Sequence, residues 1–117
     1  SNDTGPLHYA TSSAIDYAVS SLNISDLIIL GHSNCGGVKY AHECFVKNKP
    51  NDNSSIYNWI ETIRPAYMKL SKNLDNQDVL HNLEKLSIQN SISNLNSFPK
   101  IKNLILKKKI KCLWYLV

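Results

Sequence analysis

The sequence predicts an α/β fold on three observations. Leu27-Ile28-Ile29-Leu30 is an unbroken apolar run of strand length, the pattern of a strand buried on both faces of a parallel sheet. The segments on either side of it space their apolar residues as helices do. The chain closes on Cys112-Leu113-Trp114-Tyr115-Leu116-Val117, a second strand-like run. Helices alternating with strands in this order build a layered α/β domain.

The elements follow in order. Residues 1–6 read as a loop punctuated by Gly5-Pro6. From Thr11 to Leu22, the residues Ala14, Ile15, Ala18, Val19 and Leu22 recur at helical spacing, with Ser and Thr ahead of them as caps. Asn23 to Asp26 makes the turn into the first strand. A second helix is expected from Gly36 to about Lys47, then a polar loop from Lys49 to Ser55. Ile56 to Leu74 predicts a longer helix with Trp59, Ile60, Ile63 and Tyr67 on one side and a kink at Pro65. Val79, Leu80, Leu83, Leu86, Ile88, Ile92 and Leu95 predict another long helix. Pro99 precedes a short one carrying Ile101, Leu104 and Ile105. About five helices against two strands leave a sheet short of partners, since two strands are marginal.

Composition narrows the function classes. The 117 residues suffice for one domain, taken as 1–117. Hydrophobic residues make up 43% and charged residues 19%, ordinary values for a globular chain. No apolar run reaches the roughly 18–20 residues that span a bilayer, so no membrane partner is expected. The net charge of +4 comes largely from six lysines between Lys100 and Lys111. Arg64 is the only arginine, whereas phosphate and base recognition favours arginine forks. A solvated basic face is therefore expected, and no nucleic acid. Cys35, Cys44 and Cys112 are an odd set without framework spacing, which favours a reducing, cytoplasmic setting. Ser1 opens the chain and Met68 is its only methionine, which leaves a preceding segment, including a targeting one, open.

Chemistry concentrates in one loop. Three of the four glycines lie in Gly31-His32-Ser33-Asn34-Cys35-Gly36-Gly37. Gly31 ends the first strand, and Gly36 and Gly37 open the next helix, so a tight backbone turn is expected there. His32 and Cys35 sit at the C-terminal end of the strand, where open α/β sheets bind ligands. Imidazole nitrogen and thiolate sulfur are preferred zinc ligands at roughly 2.0–2.3 Å. Taken alone, this pair also suits a well-packed turn that binds nothing.

The run Gly31 to Lys39, Gly-His-Ser-Asn-Cys-Gly-Gly-Val-Lys, resembles the second metal motif of the β-class carbonic anhydrases. Ala14-Ile15-Asp16-Tyr17-Ala18-Val19, Leu27–Leu30, Arg64-Pro65-Ala66-Tyr67 and Ser91 to Pro99 are similar to that family's flanking helices and strand. The resemblance spans nearly the whole chain. It implies zinc as cofactor, with His32 and Cys35 as two protein ligands and Gly36 and Gly37 shaping the substrate loop. It implies reversible hydration of carbon dioxide to bicarbonate as the reaction, with those small molecules as substrate, and a homodimer or higher assembly. The fold it implies is an incomplete parallel sheet of the β-carbonic-anhydrase type, flanked by helices, with the family's N-terminal part missing.

Departures from the family pattern are as informative. The family's first motif, Cys-x-Asp-x-Arg, supplies further metal-site residues, and no Asp-x-Arg occurs here. Arg64 lies far downstream and is not expected to replace it. Cys44 falls about 13 Å of helix rise beyond Cys35; it and Cys112 are expected to be small buried hydrophobes, and His8, His42 and His81 to be ordinary surface or core residues. The alternative to an enzyme is a non-catalytic fragment or partner-dependent remnant, with a sheet edge exposed beside Leu27–Leu30. A more distant alternative is a serine hydrolase using Ser33, because Gly31 to Cys35 resembles Gly-x-Ser-x-Gly; its fifth position is cysteine where that turn wants glycine.

Overall fold

A computed structural model describes residues 9–50, 52, 54–70 and 76–117. Six helices and two strands occur among them, in the order α1 (Tyr9–Ser21), β1 (Asp26–Gly31), α2 (Gly36–Val46), α3 (Ser55–Glu61), α4 (Arg64–Tyr67), α5 (Asn76–Asn96), α6 (Pro99–Leu106) and β2 (Lys111–Leu116). The strands pair as one two-stranded sheet. Lys111 N–H donates to Ser25 O, Val117 N–H to Gly31 O, and Ser33 N–H to Val117 O. Each strand runs in the same direction, and both ends of the ladder share one register, so the pairing is parallel and unbulged. The α/β expectation holds. The loop expected over residues 1–6, His8, and the end of the helix expected to reach Leu74 lie outside the described residues.

Two compact units divide the chain. One comprises the described residues up to Ile28 together with Ile92–Leu113; the other comprises Ile29–Ser91 with Trp114–Val117. In the first, Val19, Ile101 and Ile110 are buried, with Ile15, Ile24, Leu27 and Phe98 packed partly buried against them. Within α1, Ile15, Ala18 and Val19 turn inward as the spacing predicts, whereas Ala14 is exposed and Leu22, past the helix end, is 56% exposed. In the second, Val38, Ala41, Cys44 and Phe45 of α2 form one helical face. That face meets Tyr57, Ile60, Ile63, Ala66 and Leu83 in a single core.

With few glycines, the chain closes its helices in another way. Asn48 and Lys108 adopt left-handed backbone, with φ of 50° and 55°. Behind them Lys49 N–H reaches Cys44 O, and Lys109 N–H reaches Leu104 O, the paired bonds of a Schellman closure that usually takes glycine.

Several expectations need correction. Pro65 does not kink a long helix; the helix breaks, and Pro65 sits in the first turn of α4, where its missing N–H costs nothing. Trp59 is 43% exposed although Ile60 and Ile63 are buried, so the apolar side of that segment is narrower than its sequence suggests. The run Leu27–Leu30 is not buried on both faces. Its accessibility alternates along β1, leaving Ile28 and Leu30 exposed at 58% and 68%, because among the described residues nothing covers that side.

Candidate metal centre

The site grows from the end of β1. Gly31 is confined by packing: a Cβ there would collide with Ile88 of α5, approaching its Cγ1 to 2.7 Å. The tight turn that follows is made by Asn34, with φ of 55°; asparagine tolerates this left-handed region better than most residues. No described glycine has positive φ. This corrects the expectation that Gly36 and Gly37 are there for backbone freedom. Gly36 faces open space, while a Cβ at Gly37 would approach the Trp59 ring to 2.7 Å and lie 3.7 Å from Cys35 Sγ.

His32 is exposed, and its Nδ1 lies 3.1 Å from Ser33 O. A carbonyl only accepts, so Nδ1 is the donor in this bond; in the neutral ring that tautomer leaves the Nε2 lone pair for a ligand. Because the ring engages the Ser33 carbonyl and not its hydroxyl, these neighbours do not form the nucleophile–base pair a hydrolase needs. Cys35 is half-buried and is the N-cap of α2, but its own side chain makes no capping bond. Its backbone N–H instead donates to Glu84 Oε2 at 3.1 Å. Glu84 of α5 is 7% exposed and is the one buried charged side chain among the described residues. Its Oε1 stands 3.7 Å from His81 Nδ1. A pocket of about 480 Å³ opens here, bounded by Ser33, Cys35, Gly36, Lys39, His81 and Glu84.

The other candidates stand apart from this chemistry. Arg64 grips Glu61 through two bonds of 2.7 and 2.9 Å and lies over the Phe45 ring at 4.7 Å. The guanidinium holds the Glu61 carboxyl below the usual carboxylate range. Cys44 is buried, as expected of a small hydrophobe, beside Tyr57. Cys112 is half-buried, and burial pushes its thiol up. His42 packs edge-on to Tyr67; His81 is the exception, an exposed ring that borders the pocket beside Glu84.

By donor chemistry, a free imidazole nitrogen and a thiol three residues apart suit zinc; by number they fall short, since a catalytic site takes three protein ligands. No group of three or more His, Cys, Asp or Glu that could hold a metal gathers among the described residues. Glu84 escaped the sequence reading. Its signal was present: it lies four residues from both Leu80 and Ile88, a carboxylate on the inward side of α5.

A family model described as carbonic anhydrase matches residues 2–117. Among curated relatives, β carbonic anhydrase 3 of Arabidopsis thaliana is 30% identical over 106 residues, covering 88% of this chain and 41% of the relative. The mitochondrial β carbonic anhydrase 6 of the same plant is 28% identical, with 86% and 36% covered. The chain thus spans well under half the length of these relatives. Among solved structures, the β-carbonic anhydrase CcaA superposes with a TM-score of 0.75 at 21% identity, over 90% of this chain and 48% of that one. A tetrameric β-carbonic anhydrase of Sordaria macrospora gives 0.68 at 18% identity, over 98% and 59%. At these identities the structures speak for the fold.

Proposed function

We propose that this chain, which belongs to the β-class carbonic anhydrase family, contributes His32 and Cys35 as two protein ligands of a zinc ion that serves the reversible hydration of carbon dioxide to bicarbonate. The observation that carries the reading is the loop after β1, where a Nε2 left free by the His32–Ser33 bond and an uncommitted Cys35 thiol share one short turn. Bound zinc supplies the Lewis acidity that activates water near neutral pH. The chain's own part is to hold that turn still and to offer donors to the substrate. Gly36 and Gly37 open α2, and the first N–H groups of a helix lack intrahelical acceptors; these are the donors proposed for the bicarbonate oxygens.

Two ligands do not complete a catalytic site, so activity needs donors beyond this pair. That same shortfall favours a second reading, a non-catalytic remnant or a segment that works only beside a partner. Assembly as a homodimer or larger belongs to the first reading, supported by the tetrameric Sordaria macrospora relative. A reducing, cytoplasmic setting is proposed with it, supported by three free thiols. No helix among the described residues is long and apolar enough to cross a membrane.

Carbon dioxide hydration by stopped flow, with zinc supplied and with the His32→Ala chain alongside, separates the readings. Zinc-dependent hydration that disappears in His32→Ala supports the enzyme. A rate equal to the uncatalysed one at saturating zinc supports the remnant.

A further inference from the structure

We propose that Glu84 is the positioning residue of the Cys35 loop, capping α2 from another helix so that the cysteine side chain is left free for a ligand. The inference rests on the zinc reading only for its purpose; its geometry stands by itself.

A helix N-terminus is usually closed by an N-cap Ser, Thr, Asp or Asn whose oxygen takes an N–H of the first turn. A Glu or Gln at the third helical position often reaches back to the N-cap N–H. α2 has neither. Its N-cap is Cys35, which makes no side-chain capping bond, and its third helical position is Val38. The reciprocal bond is supplied by Glu84, 49 residues away, whose Oε2 accepts the Cys35 N–H at 3.1 Å. A carboxylate beside a helix N-terminus is also favoured by the aligned peptide dipoles.

Burial makes this contact more than incidental. A carboxylate that is 7% exposed is costly unless donors hold it. His81 Nδ1, at 3.7 Å from Oε1, is too distant for a hydrogen bond. The Cys35 N–H is the donor at bonding distance on the other oxygen. Meanwhile Asn34, the residue before Cys35, takes the left-handed region, so the chain turns sharply just ahead of the thiol. Glu84 fixes the far side of that turn, and the Ser33 N–H bond to Val117 O fixes the near side. The thiol is then presented from a backbone anchored at two points.

The test compares wild type with Glu84→Gln, which keeps an accepting oxygen, and Glu84→Met, which keeps the length and loses the acceptor. Amide hydrogen exchange at Cys35 is read by NMR, with the Ala41 and Leu83 amides as markers of the intact core. The expected result is a protected Cys35 amide in wild type, retained within about threefold in Glu84→Gln and lost by about tenfold or more in Glu84→Met, with the markers unchanged. Zinc affinity should fall by about tenfold or more in Glu84→Met and be rescued in Glu84→Gln. An unprotected Cys35 amide in wild type, or equal protection in all three chains, overturns the proposal whatever zinc does. Protection that follows the acceptor while no chain binds zinc supports the positioning role and overturns the zinc reading.

Discussion

The two compact units are stabilised in different ways. The unit of Ile29–Ser91 with Trp114–Val117 encloses a core running from Val38 to Leu83, and it also carries the candidate metal loop and the buried Glu84 carboxylate. Among its described residues, the unit ending at Ile28 and resuming at Ile92 buries only Val19, Ile101 and Ile110, and leans on partly buried neighbours. The lysine-rich stretch belongs to this second case. A loop that must hold two ligands in place is better supported by a rigid, well-packed frame than by a half-exposed one. The deeper core lies where the site is.

The contrast can be broken by truncating a single side chain. Leu83 is fully enclosed, so Leu83→Ala should cost about 2–5 kcal/mol. Chemical denaturation monitored by tryptophan fluorescence would read this, and a loss under 1 kcal/mol would mean the site-bearing core is looser than described. Gly31→Ala is next. Its new methyl would press on the buried Ile88, and overpacking of that kind costs about 1–3 kcal/mol. Gly36→Ala is its control, with open space around it and a gain of up to about 1 kcal/mol from helix propensity. A thermal melt in which the two substitutions behave alike would refute the assignment of Gly31 to close packing.

In the less enclosed unit, Ile101→Val removes one buried methyl group and should cost about 0.5–1.5 kcal/mol. Native-state hydrogen exchange should place that loss in α6 and leave the α2 amides untouched. The smallest effect concerns pH. Glu61 is held low by Arg64, so its contribution is present above the ordinary glutamate value, about 4.3. It is lost as pH falls further, through the folded-state value. Both partners are more than a third exposed, and solvent screening limits the pair to about 0.5 kcal/mol. Acid titration of stability in Arg64→Gln should differ from wild type by no more than that, and a larger divergence would show the pair to be better shielded than its exposure implies.

What the sequence revealed of this arrangement was contiguous. The strand, the turn and the opening of α2 lie within about a dozen residues, so the apolar run and the His32–Cys35 spacing could be read directly. Glu84 lies 49 residues from the N–H it holds, and no local pattern links the two; only its position on the inward side of α5 hinted at a role. The sequence around Pro65 suggests a kink and not a break, because proline marks where a helix is interrupted but not whether the chain resumes on the same axis. The glycines suggest backbone freedom, yet two serve close approach and Asn34 takes the left-handed turn. The exposed face of β1 could not be foreseen, since an unbroken apolar run describes what a strand could bury and not what is present to cover it.

The central claim is that His32 and Cys35 form one shared metal-binding turn. It is tested most directly by zinc titration of this chain beside the His32→Ala, Cys35→Ala double variant, with bound metal measured after equilibrium dialysis. Saturable binding at one site is expected in the parent chain, weakened at least about tenfold in the double variant. Equal zinc uptake by the two chains would contradict it.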